Sequence, residues 1–439
     1  MTLNKSLQFY KSYKNNIAGP STFGKSIDQF ANASSPSGLL RAKGPYTWDL
    51  DRNKYIDTIM ALGSVFIGHS NNQINNSIIK QLKKGINLSL ATELELELAE
   101  LIIKYVNSAE YVRFGKNGND VTTAAVRLSR HYTKKNHILF CGYHSWQDWY
   151  ISKTSMNAGI PEDIGKYSHR FNYNDLNSLE ILINKYKNDI ACIILEPVSK
   201  VKPVCNVKCN YCKKKCMGFL KGVKKLSNDS KAVLIFDEVV TGFRFDLGGY
   251  QKIAKIKPDL SCFSKAMANG MPISALVGSK KIMSKSNEIF YSLTYGGEAL
   301  SLAASISTLK FLKKEGVCEY VGEIGEFFMN EFKSLIIKHS LLEVISIIGF
   351  PHKSILIFSN FNIHKGEEIR TLWIKLMTNN GVLNAGYFIF SFSHSLKVTK
   401  ILLKIIDDCL KQLKIIITKK NKILDKNEKI AQKTARDIL

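Results

Sequence analysis

The sequence predicts an α/β protein built on a mostly parallel sheet with helices on both faces. Between residues 110 and 280, short apolar runs alternate with helix-length amphipathic segments. The runs are "YVRF" (111–114), "HILFCG" (137–142), "ACIILEP" (191–197), "AVLIFDEV" (232–239), "LSCFS" (260–264) and "ISALVG" (273–278). Runs that stay apolar instead of alternating belong to strands buried on both faces, and crossover helices are what bury them. A chain of 439 residues, 45% hydrophobic, also has the length for a second lobe.

In chain order, the first 70 residues read as irregular chain with one β element. "YTWDLDRNKYIDTIMALG" (Tyr46–Gly63) alternates as a hairpin does. A helix is expected from about Asn72 to Lys84. Another is expected over Glu93–Val106, where Leu94, Leu98, Leu101 and Ile102 fall at helical spacing. The strand region follows, then a helix over Ala299–Lys314 and a smaller α+β portion ending near Lys414. The resulting division is an N-terminal part of a small domain (1–70), a large domain (71–310) with a cysteine-rich insert (200–217), a C-terminal small domain (311–415) and a basic tail (416–439). From Lys419 onward seven Lys/Arg face three acids, which reads as a solvated terminal helix or a frayed tail.

The balance of 62 basic and 37 acidic residues leaves +25. The lysines are spread along the chain together with Ile and Asn, and no aromatic residues interleave with a basic stripe. The charge therefore reads as compositional and not as a polyanion footprint. A basic nucleic-acid-binding protein with a zinc knuckle stays as the remote alternative. "MTLNKSLQFYKSYKNN" lacks the apolar core of a signal peptide, and no apolar run approaches the roughly 20 residues of a membrane span. A soluble, cytoplasmic protein is expected.

In open parallel sheets ligands collect beyond the carboxyl ends of the strands. After "YVRF" comes Gly115-Lys116-Asn117-Gly118-Asn119-Asp120 and then a helix, a turn whose free N–H groups suit a phosphate. "HILFCG" is followed by Tyr143 and His144, aromatic groups placed to stack on a planar ring. "VLIF" runs into Asp237, a carboxylate that needs a cationic partner such as a protonated ring nitrogen. "LSCFS" runs into Lys265, an amine beside apolar Ala266 and Met267, suited to a Schiff base. Taken singly, each has a bland reading as a cap, a core aromatic, a paired acid or a surface lysine. Together they match pyridoxal 5′-phosphate (PLP), which needs an amine, an acid at its ring nitrogen, a stacking group and a phosphate seat.

"LIFDEVVTGFR" followed by "FSKAMANGMPISALVG" resembles the core of the class III PLP-dependent aminotransferases. The resemblance extends to "YIDTIMALGSVFIGHS", "GYHSWQDWY", "IILEPV" and "YSLTYGGEALSLAAS", and covers roughly residues 18 to 400. It is strongest to the glutamate-1-semialdehyde 2,1-aminomutase-like aminotransferases, especially the branch met in surface-polysaccharide gene clusters. It implies PLP fold type I, with a seven-stranded, mostly parallel sheet in the large domain. Lys265 would be the Schiff-base lysine and proton shuttle, Asp237 the partner of the pyridine nitrogen, and Val239 the residue under the ring opposite Tyr143. Asn117, Gly118 and Asn119 would hold the phosphate, with His144 and Glu196 also around the cofactor. Thr294 would reach the cofactor of a neighbouring copy, which implies a homodimer with shared active sites. Substrate contacts would come from Thr22, Lys25 and Ser64.

Three departures stand out. The family's S-G-T-E-A reads Asn117-Gly118-Asn119-Asp120-Val121, the usual D-x-D-G turn reads Asp49-Leu50-Asp51-Arg52, and Lys25 occupies the place of a carboxylate-gripping arginine. A lysine is a point charge without the bidentate fork of arginine. The expected activity is amino transfer between an amino donor and an aldehyde or keto substrate, a sugar among the candidates. The 2,1-aminomutase reaction itself is the alternative.

"CNVKCNYC" with a fourth cysteine beyond it places Cys205, Cys209, Cys212 and Cys216 within twelve residues. The C-x3-C-x2-C spacing resembles the cluster-binding signature of radical S-adenosylmethionine enzymes, but it falls between two adjacent strands of the expected sheet and not after the first strand of a barrel. Four thiolates so close can meet one tetrahedral zinc. A small iron–sulfur cluster and free reduced thiols are the other readings.

Overall fold

The computed structural model describes residues 3–31, 34–204, 218–419, 421–424 and 429–432. The chain divides into two compact units, one formed by residues 1–71 and 319–438 and the other by residues 72–318.

The first unit opens with α1 (Asn4–Asn16) and the strands β1 (Leu39–Lys43), β2 (Tyr46–Asp49) and β3 (Lys54–Asp57). The second holds α2 (Asn72–Leu82), α3 (Glu93–Tyr105), β4 (Tyr111–Gly115), α4 (Gly118–Thr133), β5 (His137–Cys141), β6 (Ser168–Arg170), α5 (Leu176–Lys185), β7 (Ile190–Leu195), α6 (Phe219–Asp229), β8 (Val233–Glu238), β9 (Leu260–Phe263), β10 (Ser274–Gly278) and α7 (Ala299–Lys314). After α8 (Val317–Lys338), the first unit resumes with β11 (Ile345–Phe350), β12 (Lys353–Phe358), α9 (Gly366–Asn379), β13 (Val382–Leu383), β14 (Tyr387–Ile389) and α10 (Leu396–Ile417).

The sheet of the second unit has seven strands in the order β4-β10-β9-β8-β7-β5-β6. Only β10 runs against its neighbours, β4 and β9; all other pairs are parallel. The carboxyl ends of β4 to β9 therefore share one edge. Alternate residues face opposite layers, as the pleat requires. Ile138 and Phe140 of β5 pack with Val121, Ala124 and Leu128 of α4, whereas Leu139 and Cys141 pack with Phe219, Val223 and Leu226 of α6. Both faces are apolar because both are covered, and this is why the strands read as unbroken apolar runs.

The first unit carries two smaller sheets, β1-β2-β3-β13 and β11-β12-β14. The hairpin of Tyr46–Gly63 is β2 against β3, with Tyr46 opposite Ile56. Among the described residues no helix is long and apolar enough to cross a membrane.

Two expectations need correction. The irregular N-terminus begins with a helix of 13 residues. Its first-turn amides at Lys5 and Ser6 donate to the carboxylate of Asp51 at 2.8 and 2.9 Å, so a residue some 45 positions away does the work of a local cap. The tail is not free throughout. Ala431 is buried, its N–H donates to Thr371 Oγ1 at 3.0 Å, and Arg370 Nη1 donates to the carbonyls of Ala431 and Gln432.

Candidate active site

The turn after β4 is built around Asp120. Its Oδ2 accepts the N–H groups of Lys116 (3.0 Å) and Asn117 (2.7 Å), which fastens the loop to the first turn of α4. The N–H groups of Gly118 and Asn119 lie in that first turn, where the helix itself offers no acceptor and its dipole favours an anion. Gly118 is required by close approach. A Cβ built there would lie 2.7 Å from Val239 Cγ1, so the turn sits directly against the residue two places beyond Asp237.

At the end of β5, Gly142 adopts φ +104, a conformation open to glycine, and a Cβ there would meet Glu196 Oε2 at 2.9 Å. Glu196, at the end of β7, accepts the Tyr143 N–H at 3.1 Å through that same oxygen. Glu196 thus fixes where Tyr143 leaves the strand. His144 does not share the place of Tyr143. It is buried, with Nδ1 2.7 Å from Asp237 Oδ2, Nε2 3.2 Å from the Cys141 carbonyl and its ring stacked on Trp149 at 5.9 Å. The geometry makes it the partner of Asp237 and not a stacking surface. A carbonyl only accepts, so Nε2 carries a proton; Nδ1 then donates as imidazolium or accepts from a protonated carboxyl.

Asp237, next to last in β8, is 4% exposed, with its other oxygen accepting the Val239 N–H at 3.1 Å. Glu238 alternates to the opposite face. It accepts from Thr241 Oγ1, Tyr250 N and Gln251 N, and burial pushes its carboxyl upward. Lys265 follows β9 with φ +39, a left-handed conformation that is uncommon for a side-chain-bearing residue and worth a functional question. The turn that holds it, Lys265–Ala268, is tied to α7 by Ser305 Oγ, which donates to the Met267 carbonyl at 2.9 Å.

Asn117–Asn119, Tyr143, Glu196, Asp237, Val239 and Lys265 therefore all stand where strands of one sheet end on one edge. Thr294 lies in an exposed loop of the same unit, its carbonyl accepting from Asn87 Nδ2 at 3.2 Å.

Thr22, Lys25 and Ser64 belong to the first unit. There the turn Phe23–Lys25 packs on Leu62: a Cβ at Gly24 would lie 3.1 Å from Leu62 Cδ2. Ser64 closes a left-handed turn in which Met60, Ala61 and Leu62 have φ of +47, +49 and +59. The sequence reading missed its anchor. Buried Asp57 accepts the N–H groups of Ile59 and Met60 through Oδ1, and pairs with His69 Nε2 at 2.8 Å through Oδ2. Also missed was the ion pair of Lys116 with Glu298 at 2.8 Å. An alternating strand ending in an acid was the one available signal for Asp57. Nothing local signals Glu298.

Cys205, Cys209, Cys212 and Cys216 lie outside the described residues. Among those described, no group of three or more His, Cys, Asp or Glu is arranged to hold a metal ion. Cys141, Cys192 and Cys262 are buried within the sheet as small apolar groups.

The family profile described as aminotransferase class-III matches residues 30–414. A glutamate-1-semialdehyde 2,1-aminomutase of Wigglesworthia glossinidia brevipalpis is 37% identical over 325 residues, covering 70% of this chain and 73% of its own. A 3-aminobutyryl-CoA aminotransferase of Cloacimonas acidaminovorans is 30% identical over 389 residues, covering 88% and 91%. In fold, the PLP-containing FumI protein of Sphingopyxis sp. MTA144 superposes with a TM-score of 0.85 at 24% identity, over 95% of this chain and 99% of that one.

Proposed function

The chain belongs to the class-III aminotransferases, PLP-dependent enzymes of fold type I, and we propose that it moves an amino group from an amino donor to a separate aldehyde or keto acceptor at the strand ends around Lys265. The carrying observation is the convergence of an amine, a buried carboxylate and a helix N-terminus on one edge of the sheet.

The residues fit PLP. The turn at Gly118 sits against Val239 with no room for a Cβ, the first-turn amides of α4 suit a phosphate, and buried Asp237 keeps an acceptor for a ring N–H. When bound, PLP supplies an aldehyde that condenses with amines and a ring that takes up the electron pair left at the α-carbon. Lys265 then acts as the base that removes the α-proton and returns it one position along. Asp237, held by His144 and the Val239 amide, stabilises positive charge at the ring nitrogen. Tyr143 and Val239 would lie on the two faces of the ring, with Glu196 holding Tyr143 through its N–H.

An intramolecular amino shift is the second reading, favoured by the identity to aminomutases. Lys25, without the fork of an arginine, supports the intermolecular reading because a small amino acid with a free carboxylate is gripped less specifically. We propose that a second copy of the chain completes the site through Thr294. The segments around 86–96 and 290–295 support this: Leu90 is 86% and Phe290 83% exposed, and the two segments are joined by the Asn87–Thr294 bond. For the four cysteines at 205–216 a zinc clasp remains the proposal, supported by spacing alone. Metal analysis of anaerobically purified protein tests it.

The test of the main reading is spectroscopic. Purified protein should show the visible absorption of lysine-bound PLP, lose it on adding an amino donor, and regain it on adding an acceptor. Lys265→Ala should remove that absorption with the fold intact. A variant that keeps both colour and turnover would sink the assignment. Release of product from glutamate-1-semialdehyde alone, with no second substrate, would favour the aminomutase reading.

A further inference from the structure

Lys116 immediately precedes the phosphate turn, yet its side chain leads away from it. Nζ lies 2.8 Å from Glu298 Oε2 and 3.2 Å from Ser301 Oγ, with 15% of the lysine and 10% of the glutamate side chain exposed. Glu298 is the N-cap of α7: its carboxylate accepts Leu300 N at 2.6 Å, Ser301 N at 3.2 Å and Ser301 Oγ at 2.6 Å. Burial opposes the charge on Glu298, but the Lys116 ammonium and the cap donors hold its carboxyl below the usual range. One helical turn further on, Ser305 of the same helix donates to the Met267 carbonyl and so holds the turn that begins at Lys265. The first turn of α7 thus grips the phosphate turn, and its second grips the lysine turn.

We propose that Lys116 is a positioning residue for the cofactor: its ion pair with Glu298 locks the phosphate turn to α7 and thereby sets the spacing between the phosphate seat and the Lys265 amine. This rests on the reading of Asn117–Asn119 as that seat. A cofactor held at both its phosphate and its aldehyde carbon tolerates little error between the two grips, because misplacement by an ångström forfeits one of them. A partly buried pair embedded in a cap network holds its geometry better than an exposed lysine, which samples many rotamers for little gain. A purely architectural pair would alter folding stability and leave the discrimination between phosphorylated and unphosphorylated ligands untouched. A positioning pair alters that discrimination.

The experiment compares binding of PLP and of pyridoxal, which lacks the phosphate, to the apoprotein, with a melting curve of each apo variant as the folding control. Lys116→Met and the isosteric Glu298→Gln should each raise the PLP Kd about tenfold while the pyridoxal Kd stays within about twofold, the scale of losing one well-placed charged contact. Should Lys116→Met fail to fold, Glu298→Gln carries the test, since its amide oxygen still caps α7. An unchanged PLP-to-pyridoxal ratio in folded Glu298→Gln overturns the proposal. Asn119→Asp separates the underlying reading: it places a negative charge in the seat and should collapse the ratio. If it does not, the seat itself is misassigned and the proposal falls with it.

Discussion

Nδ1 of His144 stands 2.7 Å from Oδ2 of Asp237, and neither side chain reaches solvent to any extent. Because the other ring nitrogen is committed to the Cys141 carbonyl, the pair holds its protons in a fixed arrangement that presents the carboxylate in one orientation. Asp237→Asn should lower kcat/KM by roughly two to three orders of magnitude, through loss of charge stabilisation at the ring nitrogen. His144→Gln, which leaves Asp237 itself in place, should cost about tenfold and displace the pH profile of kcat/KM. A pH profile for His144→Gln that superposes on the parent would mean the histidine is only packing.

The Gly118–Val239 contact makes a second prediction. Gly118→Ala puts a methyl 2.7 Å from Val239 Cγ1 and should cost roughly 1–3 kcal/mol by overpacking, with weaker cofactor retention. Val239→Ala in that background should restore part of the stability, giving a coupling of about 0.5 kcal/mol or more in a denaturation double-mutant cycle. Strict additivity would show that the turn relaxes elsewhere.

Arg52 stands where the family's D-x-D-G turn has glycine, and its φ is +68. Arg52→Gly removes left-handed strain but loosens the unfolded chain, so a net gain of roughly 0.5 kcal/mol is expected from urea unfolding. A loss would mean that contacts of the Arg52 side chain outweigh the strain.

His394 gives a pH dependence. It is 1% exposed, and burial above all lowers its pKa from 6.5 to about 4, against the opposing pull of Asp57. Its Nε2 donates to the Asp57 carbonyl, Nδ1 accepts from Ser391 Oγ, and His69 and the Asp57 carboxylate lie in the same network. The folded value lies below the unfolded one, so between these values the unfolded chain binds the extra proton. Stability is therefore intact above pH 6.5 and falls as the pH drops toward 4. By pH 4.5 the loss from this group alone is roughly 2.5 kcal/mol. Urea unfolding at pH 7 and 4.5 should show that His394→Gln flattens this limb. An equal slope in parent and variant would put the acid sensitivity elsewhere.

The chemistry was legible where an apolar strand runs out into one functional residue. Asp237 after "VLIF" and Lys265 after "LSCFS" announce themselves because a charge directly after a buried run needs a reason. The Asn117–Asp120 turn was legible as a helix start for the same local reason. His144 was misread as a second stacking ring, since sequence adjacency to Tyr143 says nothing about which way each side chain turns off the strand end. Asp51 capping α1 and Asp57 holding the left-handed turn at Met60–Leu62 left no local mark either: the first reaches some 45 residues back along the chain, and the second shows only as an acid near a hairpin.

By itself the sequence determined most strands of the seven-stranded sheet, the helices that begin near residues 72, 93 and 299, and the turn that opens α4. Each of these is written in periodicity or in the order of a few neighbouring residues. Only the tertiary structure decided that β10 enters against its neighbours between β4 and β9, that His144 turns to Asp237, and that Lys116 finds Glu298 across 182 positions. Those partnerships depend on where distant segments cross, and they are selected by the cost of leaving a buried polar group or charge without a mate. That cost is set only once the core has closed around them.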